Sequence, residues 1–131
     1  MGDRAIIVFH SGEEISPAVY LHYHGDAVEE LLRGAKDRLR ADDAEYSAAR
    51  FCGHCHDKIG GNTGLGLFNA PATLAECKEK DFSQGDAGVF LVDVATGHVT
   101  AYNGYGFGGG DDDDEMNIPD RMETDLGELP R

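Results

Sequence analysis

No apolar run in the sequence approaches the roughly 18 residues that a membrane-spanning helix requires. The N-terminal stretch "MGDRAIIVFH" holds only five consecutive apolar residues after a charged start. Polar residues follow it rather than a small-residue cleavage site, so a signal peptide is not expected. Gly2 would suit myristoylation, but Ile6 stands where Ser or Thr is needed. The expected location is therefore cytoplasmic. Cysteine is also scarce: Cys52, Cys55 and Cys77 are three, an odd number. A reducing compartment keeps all three as thiols unless a metal takes them.

Cationic side chains are in short supply as well. Eleven Lys and Arg stand against 25 Asp and Glu, for a net charge of −14 at pH 7. From Asp111 onward nine acids meet only Arg121 and Arg131, leaving −7, and the first 110 residues carry the other −7. Body and tail would both be repelled by nucleic acid or by an anionic membrane, which disfavours either as a direct partner. A basic surface on a partner protein is the favoured target. No internal repeat is visible, and "GGNTGLG" (60–66) lacks the lysine of a phosphate loop.

What is present reads as one domain of 131 residues, with residues 1–104 as the folded body and 105–131 as a Gly- and acid-rich tail. The β-branched run in residues 4–10 predicts a buried strand, and the alternation over 17–24 predicts its antiparallel partner. Val28, Leu31, Leu32, Ala35 and Leu39 recur at helical spacing, behind Asp26 as a cap and Glu29 as its box partner. A second helix is expected from Asp42 or Asp43 to Gly60–Gly61. "GLGLFNAP" suggests a short irregular strand and "ATLAECKEK" a turn or two of helix. Residues 86–94 and 98–102 form a strand hairpin around "ATGH". The expected fold is α+β: an antiparallel sheet of four to five strands, in two hairpins, with two helices packed on one face.

The densest cluster of chemistry is Cys52-Gly-His-Cys55-His56. Its spacing matches c-type haem attachment. Haem is disfavoured because attachment occurs outside the cytoplasm and strands dominate the chain. Zinc could use Cys52, Cys55 and His56 with His22 or His24, which sit two apart on a predicted strand. The second tight Cys/His pair of zinc ribbons is absent, and Cys77 is only a spare. A redox pair would need the first cysteine at a helix N-terminus, and here the pair lies near the helix end. The preferred reading is packing. Ala48, Phe51, Cys52 and Cys55 share one apolar stripe, where free cysteine acts as a small hydrophobe. On that reading His54 points away from the stripe and His56 ends the helix, favourable to the carbonyl dipole.

No Ser–His–Asp set or paired carboxylates can be inferred, hairpin acids such as Asp93 read as isolated, and nothing in the sequence requires an enzyme. "MGDRAIIVFH", "AVYLHYHG", "ARFCGHCHDKIGGNTGLGLFN" and "GDAGVFLVDVATGHVTAYNG" together resemble small bacterial and phage proteins of unassigned activity. By analogy, that resemblance implies an inhibitor of nucleic-acid-binding machinery, as anti-CRISPR proteins are. The expectation is a non-enzymatic nucleic-acid mimic without a cofactor. Its acids, foremost Asp111, Asp112, Asp113, Asp114 and Glu115, would occupy a basic channel on a protein complex. A small zinc-binding domain is the alternative.

Overall fold

The run Ala5–Phe9 is buried on both sides, and this determines its place in the sheet. In the computed structural model, which describes residues 4–59, 64–79, 86–104, 106 and 121–130, it forms the greater part of β1 (Ala5–Ser11). β2 (Glu14–Ile15) and β3 (Ala18–Leu21) turn back antiparallel to it, as expected. The expected hairpin is also present, as β5 (Gly88–Asp93) and β6 (His98–Tyr102). Asp93 closes its turn by accepting the Ala95 N–H at its Oδ1, 3.0 Å away, and Gly97 provides the positive φ of 81° that the turn needs.

The class is α+β, but the sheet is larger than expected and is not wholly antiparallel. It has seven strands in the order β4-β3-β1-β5-β6-β7, with β2 paired to β1. The two hairpins join through β1 and β5, which run parallel with Ile7 opposite Phe90. Both strands are apolar on both faces, so each gains by taking a central position with a neighbour on either side. β4 (Leu65–Phe68) is the short strand foreshadowed by "GLGLFNAP" and forms one edge beside β3.

The other edge comes from the segment read as tail. β7 (Arg121–Asp125) pairs antiparallel with β6. Beyond it, Leu126 and Leu129 return to the core, and Pro130 accepts the Ala41 N–H at 2.6 Å. Met122 and Thr124 alternate with Glu123 and Asp125, so period-2 patterning is present within the acidic composition. The expected acidic run Asp111–Glu115 lies outside the described residues.

Helices cover both faces of the sheet. α1 (Val28–Ala35) and α2 (Ala44–Ile59) lie on one, where Ile7, Phe9, Val19 and Phe90 meet Leu31, Leu32, Phe51 and Cys55. α1 is shorter than expected and passes into a tight 3-10 turn at Lys36–Arg38, although all five predicted stripe residues are buried. Asp26, expected at the N-cap, lies one position earlier in the 3-10 turn Gly25–Ala27, and the N-cap position itself is Ala27. Asp43 does cap α2, its Oδ1 accepting the Tyr46 N–H at 2.9 Å, while Glu14 from β2 takes the Ala44 N–H. The Gly60–Gly61 stop lies outside the described residues. α3 (Leu74–Glu79) covers the opposite face, where Cys77 and Leu74 rest on Ile6, Val8, Val89 and Leu91. Two helices on one face thus becomes two on one face and a short third on the other.

Candidate functional site: a histidine–carboxylate row on the open sheet end

The cysteine cluster occupies the helix–sheet contact. Cys55 is fully buried, and burial, reinforced by the neighbouring Cys52, pushes its thiol up to about 12. Cys52 is half-buried against the same apolar cluster, and burial raises its thiol too. A reactive or readily metallated thiol sits in an electropositive, accessible setting, the reverse of this one. His56 is exposed, whereas Cys55 beside it is buried.

His54, expected to point away from the packing, is instead buried. α1 crosses α2 at Gly34, so close that a Cβ there would stand 2.8 Å from His54 Nε2. The missing side chain makes room for the ring. Burial first, then Arg38 and Lys58, lower the His54 pKa, and its Nδ1 has no partner among the described residues.

His22 and His24 lie past the end of β3 rather than on one face of a strand. His22 Nδ1 shares a 2.6 Å hydrogen bond with the Tyr20 hydroxyl. Among the described residues, no three His, Cys, Asp or Glu side chains gather in a geometry that could hold a metal ion. The structure therefore does not bring Cys52, Cys55 and His56 together with His22 or His24.

It does bring together residues that are distant in sequence. At one end of the sheet, residues of β1, β5, β6 and β7 fall in register: His10 opposite Asp93, Asp93 opposite His98, and His98 opposite Asp125. The row behind it reads Val8, Leu91, Thr100 and Glu123. Both rows lie on the α3 face, where Val8 and Leu91 belong to the apolar cluster that Cys77 and Leu74 of α3 join. The apolar side chains of that face thus give way to a polar end with alternating imidazole and carboxylate.

His98 is held from both sides. Its Nδ1 lies 2.8 Å from Asp125 Oδ1, and its Nε2 lies 2.7 Å from Glu123 Oε1. Two carboxylate partners suit an imidazole with both nitrogens protonated. Asp125 above all, then Glu123, raises the pKa of His98. On the other face of β7, Arg33 of α1 donates to the Asp125 carbonyl and the Thr124 hydroxyl while paired with Glu29. β7 is thus attached to the sheet by His98 on one face and by Arg33 on the other.

Beside His98 a cavity of about 220 Å³ opens between His10, Leu91, Asp93, His98, Thr100, Tyr102 and Glu123. Among the described residues, no Lys or Arg lines it. Asp93 and Glu123 come from opposite sides of β6, an approach that sequence reading misses because it depends on knowing which strands pair. No helix among the described residues is long and apolar enough to cross a membrane. In comparisons with protein-family models, curated proteins and solved structures, nothing matches the chain.

The His98 bridge predicts a specific pH dependence. A raised folded-state pKa stabilises the protein fully below the unfolded value, about 6.5, and that contribution fades as pH rises through the higher folded value. Urea unfolding of the natural protein and of His98→Gln should therefore differ most near pH 5–6 and converge above neutrality. The buried His54 acts in the opposite sense, losing stability as pH falls through about 6.5, but it is common to both proteins and cancels in the difference. A difference that does not vary with pH would show that His98 does not bridge β6 and β7.

Proposed function

We propose that this protein is a non-enzymatic acidic binding protein that occupies a Lys/Arg-lined, nucleic-acid-binding surface on a protein complex. It would act as a nucleic-acid mimic of the anti-CRISPR kind, of phage or mobile-element origin. The observation that carries this reading is the open sheet end itself. Asp93, Glu123 and Asp125 converge there on one face, and among the described residues no basic side chain lines the cavity beside them. The run Asp111–Glu115 precedes β7 in sequence and adds five acids to the same side of the argument. Carboxylates presented this way complement a surface built to hold phosphates. Such complementarity speeds encounter and fixes orientation, while apolar contacts supply most of the residence time.

The test is competition. The protein is immobilised, exposed to proteins from its native host, and eluted with rising salt or with excess duplex DNA. Nucleic-acid-binding proteins should be released by both, and capture should weaken when Asp111–Glu115 or the trio Asp93, Glu123 and Asp125 are changed to their amides. Binding that ignores salt and DNA, or that survives both sets of substitutions unchanged, would sink the reading.

A further inference from the structure

We infer that the cavity between Asp93 and Glu123 is a receptor for a single arginine side chain, presented by the basic partner of the proposed function. This rests on that function for the source of the arginine, but the chemistry is local.

Size is the first constraint, and it is independent of charge. Ligand pockets for drug-sized molecules run to about 300–1,000 Å³, and this one holds about 220 Å³. That is room for one long side chain and too little for a nucleotide. The lining is the second constraint. Leu91 and Tyr102 supply an apolar and aromatic surface for an alkyl stem, and Asp93 and Glu123 supply acceptors on either side of β6. Asp93 and Glu123 make the lining anionic, so the occupant that it suits is a cation.

Arginine fits better than lysine. Its planar guanidinium presents several donors at fixed angles, stacks on aromatic and imidazole rings, and gives up water more readily than an ammonium does. Tyr102, His10 and His98 are the available rings.

The site also couples to protons. Glu123 accepts from His98 Nε2 when that ring is doubly protonated, so an incoming guanidinium competes with the His98 proton for the same carboxylate. The groups facing His98 are Glu123 and Asp125 from β7 and, across the β5–β6 register, Asp93, with His10 beyond it. Arginine capture should therefore strengthen as pH rises and His98 gives up its charge, opposite to the stability contribution of the same histidine.

The probe is N-acetyl-arginine amide, with N-acetyl-citrulline amide as the uncharged isostere and N-acetyl-lysine amide as the other cation. Each is titrated into the full-length protein and followed by NMR at the backbone and histidine-ring signals. Saturable shifts confined to residues 91–93, 98–102 and 123 are expected for arginine amide, weaker ones for lysine amide and none for citrulline amide. Asp93→Asn and Glu123→Gln should each weaken binding about two- to fivefold, the factor a half-exposed ion pair contributes, and affinity should be higher at pH 8 than at pH 6. Equal shifts from citrulline amide, or binding untouched by both substitutions, would overturn the inference. So would evidence that Arg121 of the same chain fills the site: Arg121→Gln would then shift these signals before any ligand is added. Because no partner protein enters the titration, its outcome is separate from that of the capture experiment.

Discussion

Phe51→Ala should lower the unfolding free energy by about 3–5 kcal/mol, the range for removing a large buried aromatic side chain. Phe51 is fully buried where α2 meets the sheet, and its ring lies 5.4 Å from that of Phe9 at an interplanar angle of 59°. The tilted pair is worth about 0.5–1.5 kcal/mol beyond its buried area, and both rings belong to the core that joins the helical layer to the central strand. The neighbouring residues make the measurement a test of what the Cys52–His56 cluster does. If the cluster is packing, Cys55→Ser should cost about 1–3 kcal/mol, because a hydroxyl replaces a sulfur in an apolar setting. Cys52→Ser, half-exposed, should cost less, and His56→Ala, exposed, should stay within about 0.5 kcal/mol. A shared ligand would instead make the three substitutions comparable and their effects non-additive. Urea denaturation of the four variants separates these outcomes.

The gradient from Phe51 to His56 is legible in the amino-acid sequence, because helical periodicity is local and the stripe Ala48, Phe51, Cys52, Cys55 states it directly. The same applies to β1, to the β5–β6 hairpin with its glycine turn, and to the capping of α2 by Asp43. What cannot be read is the non-local part. A strand apolar on both faces declares that it is central without naming its neighbours, so the parallel β1–β5 contact is invisible. His54 is misplaced because its burial depends on Gly34 of another helix. The site suffers most, since its parts come from four strands. His98 and Asp125 stand 27 residues apart, and the register of two strand pairs separates Asp93 from Glu123 across β6. Asp93 looks isolated because its partners are across strands, and β7 looks like tail because acids outnumber apolar residues around it. The signal that could have found β7 is the alternation of Met122 and Thr124 with acids, followed by Leu126 and Leu129.

Those two leucines carry the second large prediction. Leu126→Ala and Leu129→Ala should each cost about 2–5 kcal/mol, although both sit in a segment whose composition suggests a solvated tail, where substitutions stay within about 0.5 kcal/mol. Both side chains are buried in the cluster beneath the helices. The backbone beside them is also committed: Leu126 N–H donates to the Gly97 carbonyl, and a Cβ on Gly97 would meet the Gly127 carbonyl at 1.9 Å. The C-terminal segment thus packs directly against the β5–β6 turn, and β7 is held at its far end by these leucines. Loosening that end should release β7 before the central strands. In either variant the β7 amides should exchange hydrogen much faster than those of β1 and β5. His98 should titrate close to the ordinary histidine value of about 6.5, because Glu123 and Asp125 leave with the strand. Uniform loss of protection across the sheet would mean that β7 and the central strands unfold as one unit. A His98 pKa unchanged from the natural protein would mean that its partners do not depend on the leucine anchor. Coupled loss of stability, β7 protection and His98 charge would tie the histidine–carboxylate row to the packing of residues 126–129, which makes the acidic site part of the folded domain rather than of a tail.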